Sequence, residues 1–266
     1  MSKMSVVGYG RKVAKQVNGE YKEIEKANGV TKHGIIIKIG TNVCPTVYVD
    51  ELYADGVSVA DCVKHIKKML EENVPVVVPE VDQFGDYDGF IKERLRARLY
   101  NKKTNAEVYV TAEPYGFDDL IIVPYVQLDD FASFKVSDAL LKQWGKENDE
   151  VISTALENSK DFELIPMYEV LVSLGFPFSE DADIPLYVLS NKTRVCGAIT
   201  AVTQRDMLKE KFPNGYKVIP SSVHEVLIAP DDEIDSSMSE LAEIIVDVNR
   251  TQVKPEEVLG DHAYEF

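Results

Sequence analysis

An α+β fold with mixed, mostly antiparallel sheet is predicted by three features of this sequence. Short β-branched or apolar runs intersperse with stretches of three- and four-residue apolar spacing along the whole chain. Strand candidates come in pairs joined by brief turns, as antiparallel neighbours allow. Helix-capping pairs then stand ahead of the apolar-periodic segments, giving strand-turn-strand-helix units with helices packed on one sheet face.

Taken in order, Gly34 to Ile39 and Thr46 to Tyr53 read as strands around Gly40-Thr41-Asn42. Ser58-x-x-Asp61 resembles a capping box, and Val59, Val63, Ile66, Met69 and Leu70 form the apolar stripe of the helix that follows. A helix is expected from about Tyr87 to Lys103, with Phe90, Ile91, Leu95 and Leu99 inward. Leu120 to Gln127, a turn at Asp129-Asp130, Ala132 to Val136 and a helix from Ser137 make a second unit. Two further helices fit Asp149 to Asn158 and Pro166 to Leu174. A third unit is expected from Leu186 to Leu189, Asn191-Lys192-Thr193, Val195 to Val202 as a strand, and a helix containing Met207 and Leu208. Tyr216 to Ala229 reads as one long strand, and Ser237-x-x-Glu240 caps a last helix carrying Leu241, Ile244, Ile245 and Val248. Phe176 to Asp183 reads as a loop and the best boundary, dividing an N-terminal α+β region (1–180) from a C-terminal one with an acidic end (181–266), unless the two form one continuous domain.

Composition narrows the function classes. The 266 residues carry 45 acidic against 29 basic side chains, a formal charge of −16 that disfavours generic nucleic-acid binding. Apolar runs are strand-sized, so no membrane span is expected, and the first residues lack a secretory h-region, which points to the cytoplasm. Cys44, Cys62 and Cys196 are odd in number and form no Cys-x-x-Cys pair, so they read as buried free thiols. The four histidines are scattered without ligand spacing, giving no metal expectation. Gly8-Tyr9-Gly10 lacks a preceding strand and no Walker sequence occurs, so no cofactor is expected.

Two constellations remain. Pro220-Ser221-Ser222-Val223-His224-Glu225 gathers hydroxyls, an imidazole and a carboxylate. On an extended strand Ser222 and His224 share a face and Glu225 lies opposite, so a triad needs an outside acid such as Asp119 or Asp118, or a partner such as Asn191. Charge supplies the other constellation. Lys92, Arg94, Arg96, Arg98, Lys102 and Lys103 form a basic cluster whose Arg forks suit phosphate or carboxylate, or the chain's own acidic end. From Asp231 to Phe266 there are eleven acidic and two basic residues, with Asp231, Asp232, Glu233 and Asp235 foremost as a docking surface.

Leu189-Ser190-Asn191, Gly197-Ala198, Pro220 to Val226, Val248-Asn249-Arg250-Thr251 and Val258-Leu259-Gly260-Asp261 resemble an uncharacterised family, domain-of-unknown-function family 5688. The resemblance extends upstream through Tyr100-Asn101-Lys102, Asn105, Phe117-Asp118-Asp119-Leu120 and Trp144-Gly145, and marks Asn191, Ser221, Glu225 and Asn249 as motif residues. Gly260 stands where the family's pattern has a serine. The resemblance implies a bacterium, phage or mobile element and supplies neither catalytic residue nor cofactor. The leading expectation is therefore a non-enzymatic cytoplasmic interaction or regulatory protein, a defence inhibitor being its sharper form, acting on a protein partner through its acidic surface. The alternative is a hydrolase or transferase at Ser222 and His224. Oligomeric state is open.

Overall fold

The computed structural model describes residues 4–38, 44–72, 81–103, 107–129, 132–175, 184–234 and 236–266. They fall into two compact units, Met1–Phe84 and Gly85–Phe266.

In the first unit, helix α1 (Val6–Gln16) is capped by Ser5, whose hydroxyl accepts the Gly8 N–H. Strands β1 (Gly19–Glu25), β2 (Thr31–Ile37) and β3 (Thr46–Tyr48) pair antiparallel in that order. The expected strand to Tyr53 ends at Tyr48, because Asp50 and Glu51 open a short helix α2 (Asp50–Ala54). The Ser58 cap is formed, with Asp61 N–H on the Ser58 hydroxyl, ahead of α3 (Val59–Glu72). Val13, Ile35, Val49, Cys62 and Ile66 are the fully enclosed centre of this unit.

The second unit holds two antiparallel sheets. One consists of β4 (Leu95–Asn101), β6 (Leu120–Gln127) and β5 (Val110–Thr111), with β7 (Ser133–Lys135) also on β6. Helices α4 (Asp138–Trp144), capped by Ser137, and α5 (Asn148–Glu157) follow, and α5 packs on β4 and β6 through Val151, Ile152 and Ala155. The other sheet has the order β12 (Tyr264–Glu265), β10 (Tyr216–Pro220), β11 (Val226–Pro230), β9 (Tyr187–Ser190), β8 (Glu163–Pro166). Helices α6 (Met167–Ser173), α7 (Thr200–Thr203), α8 (Arg205–Lys211) and α9 (Met238–Thr251) complete it. Strands β8 and β9 pair directly, Leu164 opposite Leu189, so the chain on either side of 180/181 shares a sheet, and the division between the two units falls at 84/85 of the chain. Residues 176–183, the expected linker, lie outside the described residues.

Three expectations are corrected here. The helix expected over 87–103 is a single turn at Tyr87–Ile91 and a 3-10 turn at Lys92–Arg94, followed by strand β4. Leu95, Ala97, Leu99 and Asn101 are buried and alternate with Arg96, Arg98 and Tyr100, a two-residue period that only a strand satisfies. The strand expected over 195–202 is a 3-10 turn (Gly197–Ile199) running into α7. The long strand over 216–229 is a hairpin, β10 and β11, turned at 221–225.

The capping box at α9 is complete: Ser237 Oγ accepts the Glu240 N–H and Glu240 accepts the Ser237 N–H at 2.9 Å. That backbone bond, with the Ser237 hydroxyl second, holds the Glu240 carboxyl below its ordinary range. A lowered pKa means the contribution is present above the ordinary carboxylate range and fades as pH falls through the folded value. Ser237→Ala is expected to cost about 1 kcal/mol in urea unfolding at neutral pH. The deficit against the parent protein should narrow at acid pH.

Candidate functional site

Strand β4 turns its alternate residues Arg96, Arg98 and Tyr100 toward the side opposite the α5 core, and β6 places Tyr125 and Gln127 beside them. Arg96 stands opposite Tyr125 in register, so Arg98 meets Tyr125 on the diagonal. Its guanidinium lies 3.9 Å from the centre of that ring. Arg98 Nη2 donates to Gln127 Oε1 at 2.9 Å and to Ser133 Oγ at 2.8 Å. Among the described residues no carboxylate pairs with it, and its other three N–H groups meet only the Tyr100 hydroxyl. Stacking on an aromatic face and neutral hydrogen bonds offset about 1–3 kcal/mol each of the cost of enclosing such a cation, which is several kcal/mol.

The opposite wall is the turn after β9. Asn191 organises it, its Oδ1 accepting the Val195 N–H and its Nδ2 donating to the Val195 carbonyl. Arg194 and Cys196 both adopt left-handed backbone, φ 54° and 53°, which a residue with a Cβ holds only when its surroundings enforce it. The enforcing contacts come from the β10–β11 hairpin. His224 Nδ1 accepts the Cys196 N–H at 3.1 Å, the His224 carbonyl accepts the Gly197 N–H and the Ser190 hydroxyl, and the Val223 carbonyl accepts the Ala198 N–H. Gly197 fits because a Cβ there would lie 2.2 Å from Ser190 Oγ and 2.7 Å from the His224 carbonyl.

Between these walls is an open cavity of about 670 Å³ bounded by Arg96, Arg98, Gln127, Asp161, Asn191, Thr193 and Cys196. Burial pushes the Cys196 thiol above its ordinary value; Arg98 opposes that shift and Glu257 adds to it. The thiol is thus held protonated at neutral pH. Burial, then Tyr125 and the thiol, also push the Tyr100 hydroxyl well up, leaving it a hydrogen-bonding group rather than a base. Since His224 Nδ1 accepts a backbone N–H, its proton sits on Nε2, which faces Glu257 Oε1 at 3.6 Å.

The expected site residues are distributed as follows. Ser222 Oγ accepts the backbone N–H of His224, fixing the turn, while Ser221 is half-buried at its start and the Glu225 carbonyl accepts the Ser222 N–H. The acid at His224 is Glu257 and not Asp119, which accepts the Tyr264 hydroxyl at 2.5 Å. The strand argument that separated Ser222 and His224 from Glu225 does not apply, because 221–225 is a turn. Asn249 donates to the Gly260 carbonyl and buried Asn101 to that of Leu259, so both anchor the C-terminal segment. Arg94 folds onto the Phe90 ring at 4.0 Å and donates to the Phe90 carbonyl. Asp231 pairs with Lys217, Asp232 accepts from Asn214, Glu233 is exposed, and Asp235 lies outside the described residues.

Asp118, Asp119 and His262 come together with ligand atoms within 4.8 Å of one another, and are the residues best placed to hold a cation. Internal bonds account for part of that grouping, since Asp119 accepts from Tyr264 and His262 Nδ1 lies 3.1 Å from Asp261. Cys196, read as a bland thiol, lines the cavity, and Tyr100, read as a helix residue, bonds Arg98 beside it; Arg96-x-Arg98-x-Tyr100 at two-residue spacing was the available signal.

A family model, described as a family of unknown function (DUF5688), matches residues 8–266. The chain belongs to this family. Asn191, Gly197 and the 221–225 hairpin turn of this DUF5688 member all serve the cavity wall. No curated protein and no solved structure matches the chain. Among the described residues no helix is long and apolar enough to cross a membrane.

Proposed function

We propose that this DUF5688 member is a ligand-binding regulatory protein that takes a small polar molecule into the cavity between β4–β6 and the 191–196 turn. The carrying observation is Arg98, a stacked, half-buried guanidinium with unmatched donors on a cavity of about 670 Å³. Pockets for small molecules run to about 300–1,000 Å³; this cavity falls in that range, and the mostly polar residues that line it suit a polar ligand. Strained backbone at Arg194 and Cys196 adds support, since such conformations cluster where a wall is held in readiness.

Acyl transfer at Cys196 draws less support. The N–H groups of Cys196, Gly197 and Ala198, which would form an oxyanion hole, are already donating to His224 and Val223. Docking through Asp231 and its neighbours also draws less, because Asp231 is engaged by Lys217. The three free cysteines fit a reducing bacterial or phage cytoplasm, which belongs to the proposal.

A thermal-shift screen of small polar metabolites checks the reading. At least one compound should raise the melting temperature by several degrees, about what ligand at 100 times its Kd produces. Thr193→Trp, at the exposed rim, should abolish that shift while the variant still melts cooperatively, at a temperature lowered only by the loss of the Thr193 hydroxyl bond to Asn191. A compound that still stabilises Thr193→Trp fully would place binding elsewhere.

A further inference from the structure

We infer that the molecule bound in this cavity carries an anionic oxygen group, a carboxylate or a phosphate, seated on the free edge of Arg98 with Arg96 beside it; this rests on the ligand-binding reading above. Both arginines line the cavity from one strand. Arg96 Nη1 donates to the Glu93 and Leu95 carbonyls, and Arg98 to Gln127 and Ser133, so every protein acceptor they meet is neutral. In a chain of charge −16 carboxylates are abundant, yet Asp161 is the one carboxylate of the described cavity lining, and it makes no ion pair with Arg96 or Arg98. Asp161 accepts the Lys192 N–H at 3.3 Å and Glu257 faces His224. The N–H groups left on Nε and Nη1 of Arg98 are charge-assisted donors suited to an anionic ligand oxygen. The Asn191 turn opposite, with exposed Thr193, adds neutral polar atoms and no competing anion.

Cys196 provides a reporter inside the cavity and Cys44, in the first unit, an internal reference. The full chain is alkylated at mildly alkaline pH with iodoacetate and, in parallel, iodoacetamide. In either reaction the Cys196 sulfur forms a bond to the reagent's carbon, iodide leaves, and the thiol proton passes to solvent. Rates at each cysteine are read by peptide mass spectrometry. The iodoacetate-to-iodoacetamide rate ratio should be about fivefold or more higher at Cys196 than at Cys44. Inorganic phosphate and succinate, added separately, should slow Cys196 and leave Cys44 unaffected, the stronger protector identifying the phosphate or carboxylate class. In Arg98→Gln the ratio should fall to that of Cys44; the protection arms use the unmodified chain and stand whether or not that variant folds.

Equal ratios at the two cysteines, with neither anion protecting while iodoacetamide still modifies Cys196, would overturn the anionic class and leave the cavity intact. Resistance of Cys196 to both reagents in the folded chain, with reaction only after denaturation, would overturn the ligand-binding reading itself.

Discussion

Asp231→Ala is expected to destabilise the protein by about 3–5 kcal/mol, measured as a shift in urea midpoint at unchanged m-value. Lys217 is on β10 with its side chain 10% exposed, and its ammonium finds Asp231 at 2.5 Å. Removing the carboxylate leaves a cation in the sheet without a counter-charge, which costs far more than the pair itself contributes. Lys217→Met should be much milder, within about 1.5 kcal/mol, because the apolar stem is replaced and Asp231, 26% exposed, keeps water. Gly215 completes the arrangement: its φ of +106° and the 2.5 Å from a Cβ position to Asp231 Oδ2 admit no larger residue. Reversing charge at Asp231 would therefore disrupt the β10–β11 pair before reporting on any partner. A loss as small for Asp231→Ala as for Lys217→Met would show that water solvates the ammonium.

Gly197→Ala should cost about 3 kcal/mol or more and weaken ligand binding together with stability. An added methyl meets Ser190 Oγ at 2.2 Å, the Asn191 amide nitrogen at 2.6 Å and the His224 carbonyl at 2.7 Å. Two of these are backbone atoms, so relief requires the hairpin and the turn to move apart, stretching the bonds from the Cys196, Gly197 and Ala198 N–H groups. Hydrogen exchange at residues 196–198 should accelerate in the variant. Normal protection there with a full loss of stability would show that strain is relieved elsewhere.

Much of the fold was legible because capping and alternation act locally. Ser58, Ser137 and Ser237 each accept a helix N–H where the spacing placed them, and Leu120 to Gln127 is a strand with its expected bounds. Strand β4 was misread because Leu95 and Leu99, four apart, share a face in both a helix and a strand; Ala97 between them decided the period. Val195 to Val202 is a short apolar run, which periodicity alone does not assign, and the small Gly197 and Ala198 let it coil tightly under the hairpin. The hairpin was hidden because its turn, Ser221 to Glu225, carries no glycine or asparagine. The cavity joins residues from β4, β6 and the 191–196 turn, so only the pairing of sheets brings them together. Glu257 reaches His224 for the same reason: the Val223 N–H donates to its carbonyl, a contact no local pattern encodes.

The most direct test of the account is a crystal structure of the chain with the metabolite that stabilises it most. The account predicts ordered ligand density between Arg98 and the Asn191–Cys196 turn, with a ligand oxygen within hydrogen-bonding distance of the guanidinium. Ligand density at another surface, with the Arg98 cavity holding solvent alone, would contradict it.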